Sequence, residues 1–373
     1  MHSLARAIAR MFIVGFDGYA ITDDMKRFID RGIGGVVFFN RNIQSAEQFN
    51  QLCSDLKRHA GDRPLLTCLD HEGGRVMRAK ADVFTQVPSM RAIGSTNDES
   101  LAREVGKLFA AELRAVNIDV NFAPVMDVDT NPANPVIADR SFGRTVEVVS
   151  KMGAAFIDAM QLAGIAACAK HFPGHGDTSQ DSHLDLPRLP HDMARLEAVE
   201  LAPFMAAINA GVASVMTAHV IFEPLDSEFP ATMSRPVLEG ILRQRFGFDG
   251  VVFSDCLQMI AIAKHYGEAQ AVIRGANAGV DSFLVCHHAH VQTKAIDALV
   301  AAVESGDVPE SQIVLSNARL DKLCNAYCKA PLPYVKPIID PALIERLHIL
   351  TNEAGSAGVD PTLANERASG SAG

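Results

Sequence analysis

Five short apolar runs in this chain end in groups able to do acid–base or nucleophilic chemistry. They end in Asp70-His71-Glu72-Gly73-Gly74-Arg75, in Lys170-His171 followed by FPGHGDTSQDSH, in His219, in Ser254-Asp255 and in Cys286-His287-His288. Charged residues are rarely buried unless paired, so five such ends meeting at one place would be hard to explain by packing. The run VVFSD puts a single carboxylate, Asp255, after apolar or small residues. Held ionised, it suits attack on an anomeric carbon, and Lys170 and Arg140, if near, would keep it ionised. The alternative role for Asp255 is the N-cap of the segment that follows. Glycosyl transfer also needs a proton donor, usually a second carboxyl group about 5–5.5 Å away when configuration is retained. Asp181 and His183 offer a different donor. In an extended loop, side chains two apart lie on the same side, so Asp181 can orient the imidazole and stabilise its charged form. A reference pKa near ~6.5 then lets His183 both give and take a proton at neutral pH. A metal site is not expected. His171 and His175 are four apart, but Pro173 and Gly174 break the helix that a zinc-binding face would need, and His287, His288 and His290 read as a surface cluster. No other cofactor is implied.

Elements must hold these groups in place. The apolar runs 11–16, 34–39, 65–70, 118–124, 166–172, 213–220, 250–255 and 281–286 make eight, each of strand length and rich in β-branched or small residues. Between them, apolar residues recur at helical spacing over 22–33, 46–59, 98–116, 146–163, 194–211, 235–246, 268–279 and 291–305. Gly164, Gly211, Gly247 and Gly279 stand where helices close. Eight strand–helix alternations predict one (β/α)8 TIM barrel, in which strand C-terminal ends form the active site. The competing doubly wound sheet usually has a glycine-rich first turn; here that turn is FDGYAIT. Residues 1–335 are assigned to the barrel. A helix over 309–328 is followed by the link APLPYVKP, and 336–354 reads as a short helical extension with Asp340-Pro341 as its N-cap and N1 pair. Leu343, Leu347 and Leu350 would dock it. Residues 355–373, rich in Ala, Gly, Ser and Asn, are expected to be disordered.

Composition narrows the partners. The net charge is −10 with both signs interspersed and no basic stripe, which argues against nucleic acid. The seven cysteines show no framework spacing and read as buried thiols of a reducing compartment. The first residues lack a signal-length apolar run, and no stretch approaches a membrane span, so a cytoplasmic location is expected. With no Trp and four Tyr, the chain lacks the stacking platforms of a long polysaccharide cleft. A small hydrogen-bonding pocket fits better.

The motifs KHFPGHGDTSQDSH (170–183), LDHEGGRVMR (69–78), DRSFG (139–143), MTAHV (216–220), PATMS (230–234) and FSDCLQM (253–259) occur in this order. Together they resemble glycoside hydrolase family 3, in its NagZ-type β-N-acetylglucosaminidase branch, over roughly residues 10–330. That resemblance implies a (β/α)8 barrel with Asp255 as nucleophile and His183, paired with Asp181, as acid/base. It also implies that Asp70, Arg78, Arg140, Lys170 and His171 hold the terminal sugar's hydroxyls, with His219 nearby. The implied activity is retaining exo-hydrolysis of terminal N-acetylglucosamine, with muropeptides of peptidoglycan recycling as substrate. A phosphorylase, with phosphate in place of water, would use the same pocket. β-Glucosidases of the wider family usually take their acid from another domain or loop, and a sugar-binding protein would lack Asp255 or His183. Two departures from the branch are expected to alter contacts at the rim: His71 stands where glutamine is frequent, and CLQM is less acidic than usual.

Overall fold

A computed structural model describes residues 2–78, 83–179 and 185–354. Asp181, His183 and the tail from 355 onward therefore lie outside the described residues.

The eight apolar runs contain eight parallel strands: β1 (Phe12–Val14), β2 (Gly35–Phe38), β3 (Leu66–Leu69), β4 (Val120–Asn121), β5 (Ala166–Phe172), β6 (Ser214–Thr217), β7 (Val251–Cys256) and β8 (Ser282–Val285). Each pairs with its neighbours in chain order, and β8 closes onto β1 through Phe12↔Phe283, Ile13↔Leu284 and Val14↔Val285. The sheet is thus a closed barrel, which disposes of the open doubly wound alternative. Inside it, Phe122 and Phe253 meet edge to face with ring centroids 5.4 Å apart. The strands carry apolar residues on both faces because one face fills the barrel and the other meets helices.

Helix boundaries follow local chemistry. Helix α1 (His2–Ala9) precedes β1, and α2 (Asp23–Arg31) starts where the Thr22 hydroxyl accepts the Met25 N–H. Ser45 and Asp98 cap α3 (Ala46–Ala60) and α4 (Glu99–Ala115) in the same way, and Thr145 caps α5 (Val146–Leu162). The acidic pairs Asp23-Asp24 and Asp98-Glu99 are accounted for by these helix starts. Gly164, Gly211, Gly247 and Gly279 all have positive φ, as the sequence predicted for helix ends.

The helix expected over 194–211 is instead broken. Its first part widens into π-helical turns over Leu196–Glu200, then continues as α6 (Ala202–Asn209). Pro203 has no N–H to give the Val199 carbonyl, and the chain responds with a Leu201 N–H to Leu196 carbonyl bond of 2.8 Å. Residues Pro236–Arg245 form a second π-helical stretch, followed by α7 (Glu268–Ala278), α8 (Ala289–Ser305) and α9 (Glu310–Tyr327). Helix α10 (Pro341–Ala354) begins where Asp340 accepts the Ala342 N–H. Leu343 and Leu347 are buried, and Arg346 bonds Asp98 at 2.7 Å.

The barrel's N-terminal end is closed by buried ion pairs. Lys57 contacts both Asp119 oxygens at 2.7 Å, while Asp281 receives Arg243 at 2.6 Å and Arg319 at 3.0 Å. Such pairs cost desolvation and are strongly destabilising to break. All seven cysteines are free thiols, six of them buried, as expected. No helix of the described residues is long and apolar enough to cross a membrane.

Glu112 on α4 is buried. Its Oε1 accepts the Thr85 N–H at 2.8 Å and hydroxyl at 2.7 Å, while Oε2 has no hydrogen-bond partner among the described residues. Burial pushes its pKa up to about 7, against the Thr85 bonds and Lys336. With the folded pKa above the unfolded one, the folded state binds more protons between roughly pH 4.5 and 7. Stability from this group is therefore present at low pH and is lost as pH rises through that window. Glu112→Gln is expected to raise the melting temperature by about 1–3 °C at pH 8, with the gain disappearing by pH 5. Thermal melts across that range check this, and an equal gain at both pH values would contradict it.

Candidate active site

The polar strand ends do meet. Asp70, Arg78, Arg140, Lys170, His171 and Asp255 line one cavity at the C-terminal mouth of the barrel, with Phe39, His175, Met216, Cys256 and His287 among its other walls.

Asp70 follows β3, whose end passes into a small antiparallel ribbon, His71–Gly73 against Val76–Met77. The ribbon reverses the chain at Gly73 and Gly74, which have φ of +99° and +58°. A Cβ on Gly73 would stand 2.6 Å from the Met90 methyl and one on Gly74 2.8 Å from the Ser89 Cα, so these positions need glycine for space as well as conformation. The turn returns Arg78 to Asp70, Nη2 to Oδ2, at 3.4 Å. Lys170, at the end of β5, reaches Asp70 Oδ1 at 2.7 Å and Glu72 Oε1 at 2.6 Å. Arg140 clasps Glu72 with two bonds of 2.8 Å. Three cations and two carboxylates are thus packed together, all but Asp70 nearly inaccessible.

Electrostatics hold Glu72 and Lys170 in their charged forms. Burial alone would raise the Glu72 pKa, but the charges of Arg140 and Lys170 outweigh it and hold the carboxyl well below its usual range. Burial would lower that of Lys170, yet Asp70 and Glu72 raise it. Glu72 was not singled out from the sequence, although it lies two residues from Asp70 and both contact Lys170. Removing its charge would take away the carboxylate that stands between two buried cations, Arg140 and Lys170. Glu72→Gln is expected to lower kcat/KM about 10–100-fold and to lower the melting temperature, read by steady-state kinetics and calorimetry. Unchanged kcat/KM would show that the clamp does not order the pocket.

His171 is fixed by Asp127, another residue missed from sequence. Its Nδ1 lies 2.8 Å from Asp127 Oδ2, and the Asp127 carboxylate also accepts the His171 and His175 backbone N–H groups. Burial is again outweighed, here by His171 and His175, so the Asp127 pKa is lowered. With Nδ1–H donated to Asp127, Nε2 is the nitrogen on the other side of the ring, 3.5 Å from Arg140 Nη2. His175 is different. Burial, helped by the charge of His171, takes its pKa down to about 4, so it is neutral at pH 7. Asn134 binds the carbonyls of His175 and Gly176 and braces the chain leaving β5.

Asp255 ends β7. Its Oδ1 accepts the Cys256 N–H at 2.7 Å. The helical turn that follows, Ile260–Ala263, has Met259 at its N-cap position, so Asp255 is not its N-cap. His219 is placed differently from the other described candidates. It is buried, with Nδ1 2.8 Å from the Thr232 hydroxyl and Nε2 3.1 Å from the Cys256 carbonyl. From there it bonds the backbone at the β7 end.

The chain bordering residues 180–184 is tied down on both sides. Asp177 is bound by His191 and by the Thr130 hydroxyl at 2.6 Å. Asp185 meets His265 at 2.7 Å. His71, expected to alter the rim, does not reach it. The ring is fully buried between Phe84 and Phe109, with centroids 4.9 and 4.4 Å away, and burial takes its pKa down to about 3. It is a neutral aromatic filler.

Residues 4–323 match the Glycosyl hydrolase family 3 N terminal domain. A β-hexosaminidase from Thiobacillus denitrificans is 44% identical over 273 residues, covering 71% of this chain and 75% of its own. One from Thioalkalivibrio sulfidiphilus is 41% identical over 299 residues, 77% of this chain and 83% of its own. Among solved structures, a family 3 β-N-acetylglucosaminidase from Paenibacillus sp. superposes with a TM-score of 0.89 at 41% identity, covering 93% of this chain and 68% of that one. A NagZ from Neisseria gonorrhoeae, solved with N-trifluoroacetyl-D-glucosamine, gives 0.78 at 31% identity, covering 92% and 98%. The chain belongs to glycoside hydrolase family 3. Within that family it is a glycosidase of the NagZ-type, β-hexosaminidase branch.

Proposed function

We propose that this enzyme removes terminal, non-reducing N-acetylglucosamine with retention of the β configuration, through a covalent glycosyl-enzyme on Asp255. The observation that carries the reading is the meeting, in one cavity, of a strand-end carboxylate with the Asp70–Lys170–Arg78 cluster and His171. Asp70, Arg78, Arg140, Lys170 and His171 present charged or imidazole groups to a sugar's hydroxyls. Glu72 and Asp127 hold them at fixed angles, so a sugar meets preorganised partners.

In the first step an Asp255 oxygen bonds to the anomeric carbon as the glycosidic bond breaks, and His183 gives its proton to the leaving oxygen. In the second, His183 takes a proton from water, whose oxygen replaces Asp255 at the anomeric carbon and releases the sugar. Asp181 keeps the imidazole in the required orientation and tautomer. The substrate proposed is an N-acetylglucosamine–anhydro-N-acetylmuramic acid muropeptide, handled inside the cell during peptidoglycan turnover. The likeness to NagZ supports this substrate and place.

The test is incubation with 4-nitrophenyl N-acetyl-β-glucosaminide, with and without phosphate, followed by proton NMR of the sugar product. Free β-N-acetylglucosamine as first product in both conditions is expected. N-acetylglucosamine 1-phosphate formed in the presence of phosphate would instead establish a phosphorylase, and an α product would exclude retention.

A further inference from the structure

A second cavity, of about 380 Å³, lies between the barrel and the C-terminal extension and shares no residue with the sugar cavity. On the barrel side stand Phe84 and Thr85, with Glu112 of α4. On the other side are residues 334 and 336–339 of the link and Ile344 of α10. That second side is anchored at both ends. The Asn117 side chain bonds both backbone groups of Leu332 at 2.9 Å, and Arg346 of α10 bonds Asp98 at 2.7 Å. The space is of ligand size, since small-molecule pockets begin at roughly 300 Å³.

Phe84, Ile339 and Ile344 make its walls largely apolar. One carboxyl group is set into them. Glu112 is only 6% exposed. Its Oε1 is satisfied twice, by the Thr85 N–H at 2.8 Å and the Thr85 hydroxyl at 2.7 Å, while Oε2 has no hydrogen-bond partner among the described residues. Leaving a buried carboxylate oxygen unmet costs more than a typical hydrogen bond returns, so folded proteins keep few such atoms. A donor held in the cavity would satisfy this one.

We propose that this cavity binds a small apolar amine, with the ammonium group donating to Glu112 Oε2 and the hydrocarbon part lying against Phe84, Ile339 and Ile344. The inference goes beyond the proposed hydrolysis and does not depend on which sugar the first cavity takes.

The carboxylate selects an amine over other apolar ligands. An alcohol donates one hydrogen bond to Oε2 but leaves the negative charge unmatched. An ammonium ion supplies both the bond and the charge, and charge-assisted bonds are about twice as strong as neutral ones. An apolar acid would set two anions side by side. Lys336 also lines the cavity, but it is exposed and makes no bond to Oε2.

A pH dependence follows. Burial pushes the Glu112 pKa up to about 7, against the Thr85 bonds and Lys336. Only the ionised carboxylate pairs with an ammonium ion. The other titratable groups on the described walls are Lys336 and Tyr334, the latter raised by burial, Glu47 and Glu112. Reference values put lysine and tyrosine titration above pH 8.5. His71, packed against the Phe84 ring, is held neutral by burial. Glu112 therefore sets the dependence, and binding strengthens as pH rises through about 7.

The test titrates the full chain with n-hexylamine, 1-hexanol and hexanoate, by calorimetry and saturation-transfer NMR at pH 8.5 and pH 5.5. Hexylamine is expected to bind at pH 8.5 with a Kd of about 1 mM or lower, about tenfold or more tighter than hexanol. Its affinity should fall roughly 30-fold at pH 5.5, in step with the ionised fraction of Glu112. Hexanoate should not compete at pH 8.5. Glu112→Gln should bring hexylamine down to the level of hexanol and abolish the pH dependence, while Asp255→Asn should leave hexylamine binding as it is. Equal affinity for hexylamine and hexanol overturns the proposal, as does hexylamine binding that Glu112→Gln does not weaken. Loss of binding in Asp255→Asn instead would place the amine among the carboxylates of the sugar cavity and overturns it too. The pH dependence is read on the native chain and needs no variant. None of these readouts involves glycoside hydrolysis, which separates failure here from failure of the proposed function.

Discussion

Asp255→Asn is expected to lower kcat by about 10³-fold or more on every N-acetylglucosaminide, because it removes the atom that bonds to the anomeric carbon. Asparagine has the shape of aspartate and can still accept the Cys256 N–H, so circular dichroism and melting temperature should hardly change. Asp255 sits in the cavity rather than at a helix start, so the loss is not that of a cap. A variant that keeps a tenth of native turnover would show that Asp255 only supports the site.

His183→Ala is expected to produce the second large effect, and its size should depend on the leaving group. Positioned proton transfer contributes about 10²–10⁴-fold, which is lost in full where the leaving oxygen needs a proton. Nitrophenolate leaves without one, so the first step with nitrophenyl substrates should fall far less. Asp181→Asn should sit between native enzyme and His183→Ala, since the imidazole remains but loses its orienting charge. Steady-state rates on a series of aryl and alkyl N-acetylglucosaminides check this. Equal losses across the series would argue against His183 as the acid.

The architecture was legible because a barrel imposes a repeated local pattern. All eight runs hold a strand, and the capping residues and closing glycines stand where helix physics requires them. Strand four shows where this reading loosens. The run 118–124 yields only Val120–Asn121, and the Asn121 side chain is spent on both backbone groups of His71. The π-helical turns before α6 were also not read, although Pro203 marked the place.

The cavity was legible at its front and not behind. Asp70, Arg78, Arg140, Lys170, His171 and Asp255 stand at strand ends or in the loops beyond them, and they share one cavity. Glu72 and Asp127 act by holding groups that arrive from other strands: Arg140 is 68 residues from Glu72, and His171 is 44 from Asp127. Those partners exist only once the barrel closes. Extending strand four by three residues beyond Pro124 would have brought Asp127 into view, next to the others at the mouth. His219 shows the reverse limit. A polar strand end signals the mouth but not which partners a side chain meets there, and this ring bonds the Thr232 hydroxyl and the Cys256 carbonyl.

The central claim is that Asp255 itself becomes glycosylated, and trapping tests it most directly. A 2-acetamido-2-deoxy-5-fluoro glycosyl fluoride forms the covalent intermediate quickly and releases it slowly. After quenching and digestion, mass spectrometry should find the added sugar on the peptide containing FSDCLQM, at Asp255. A label on any other carboxylate, or turnover of the reagent with no covalent adduct at all, would contradict the account.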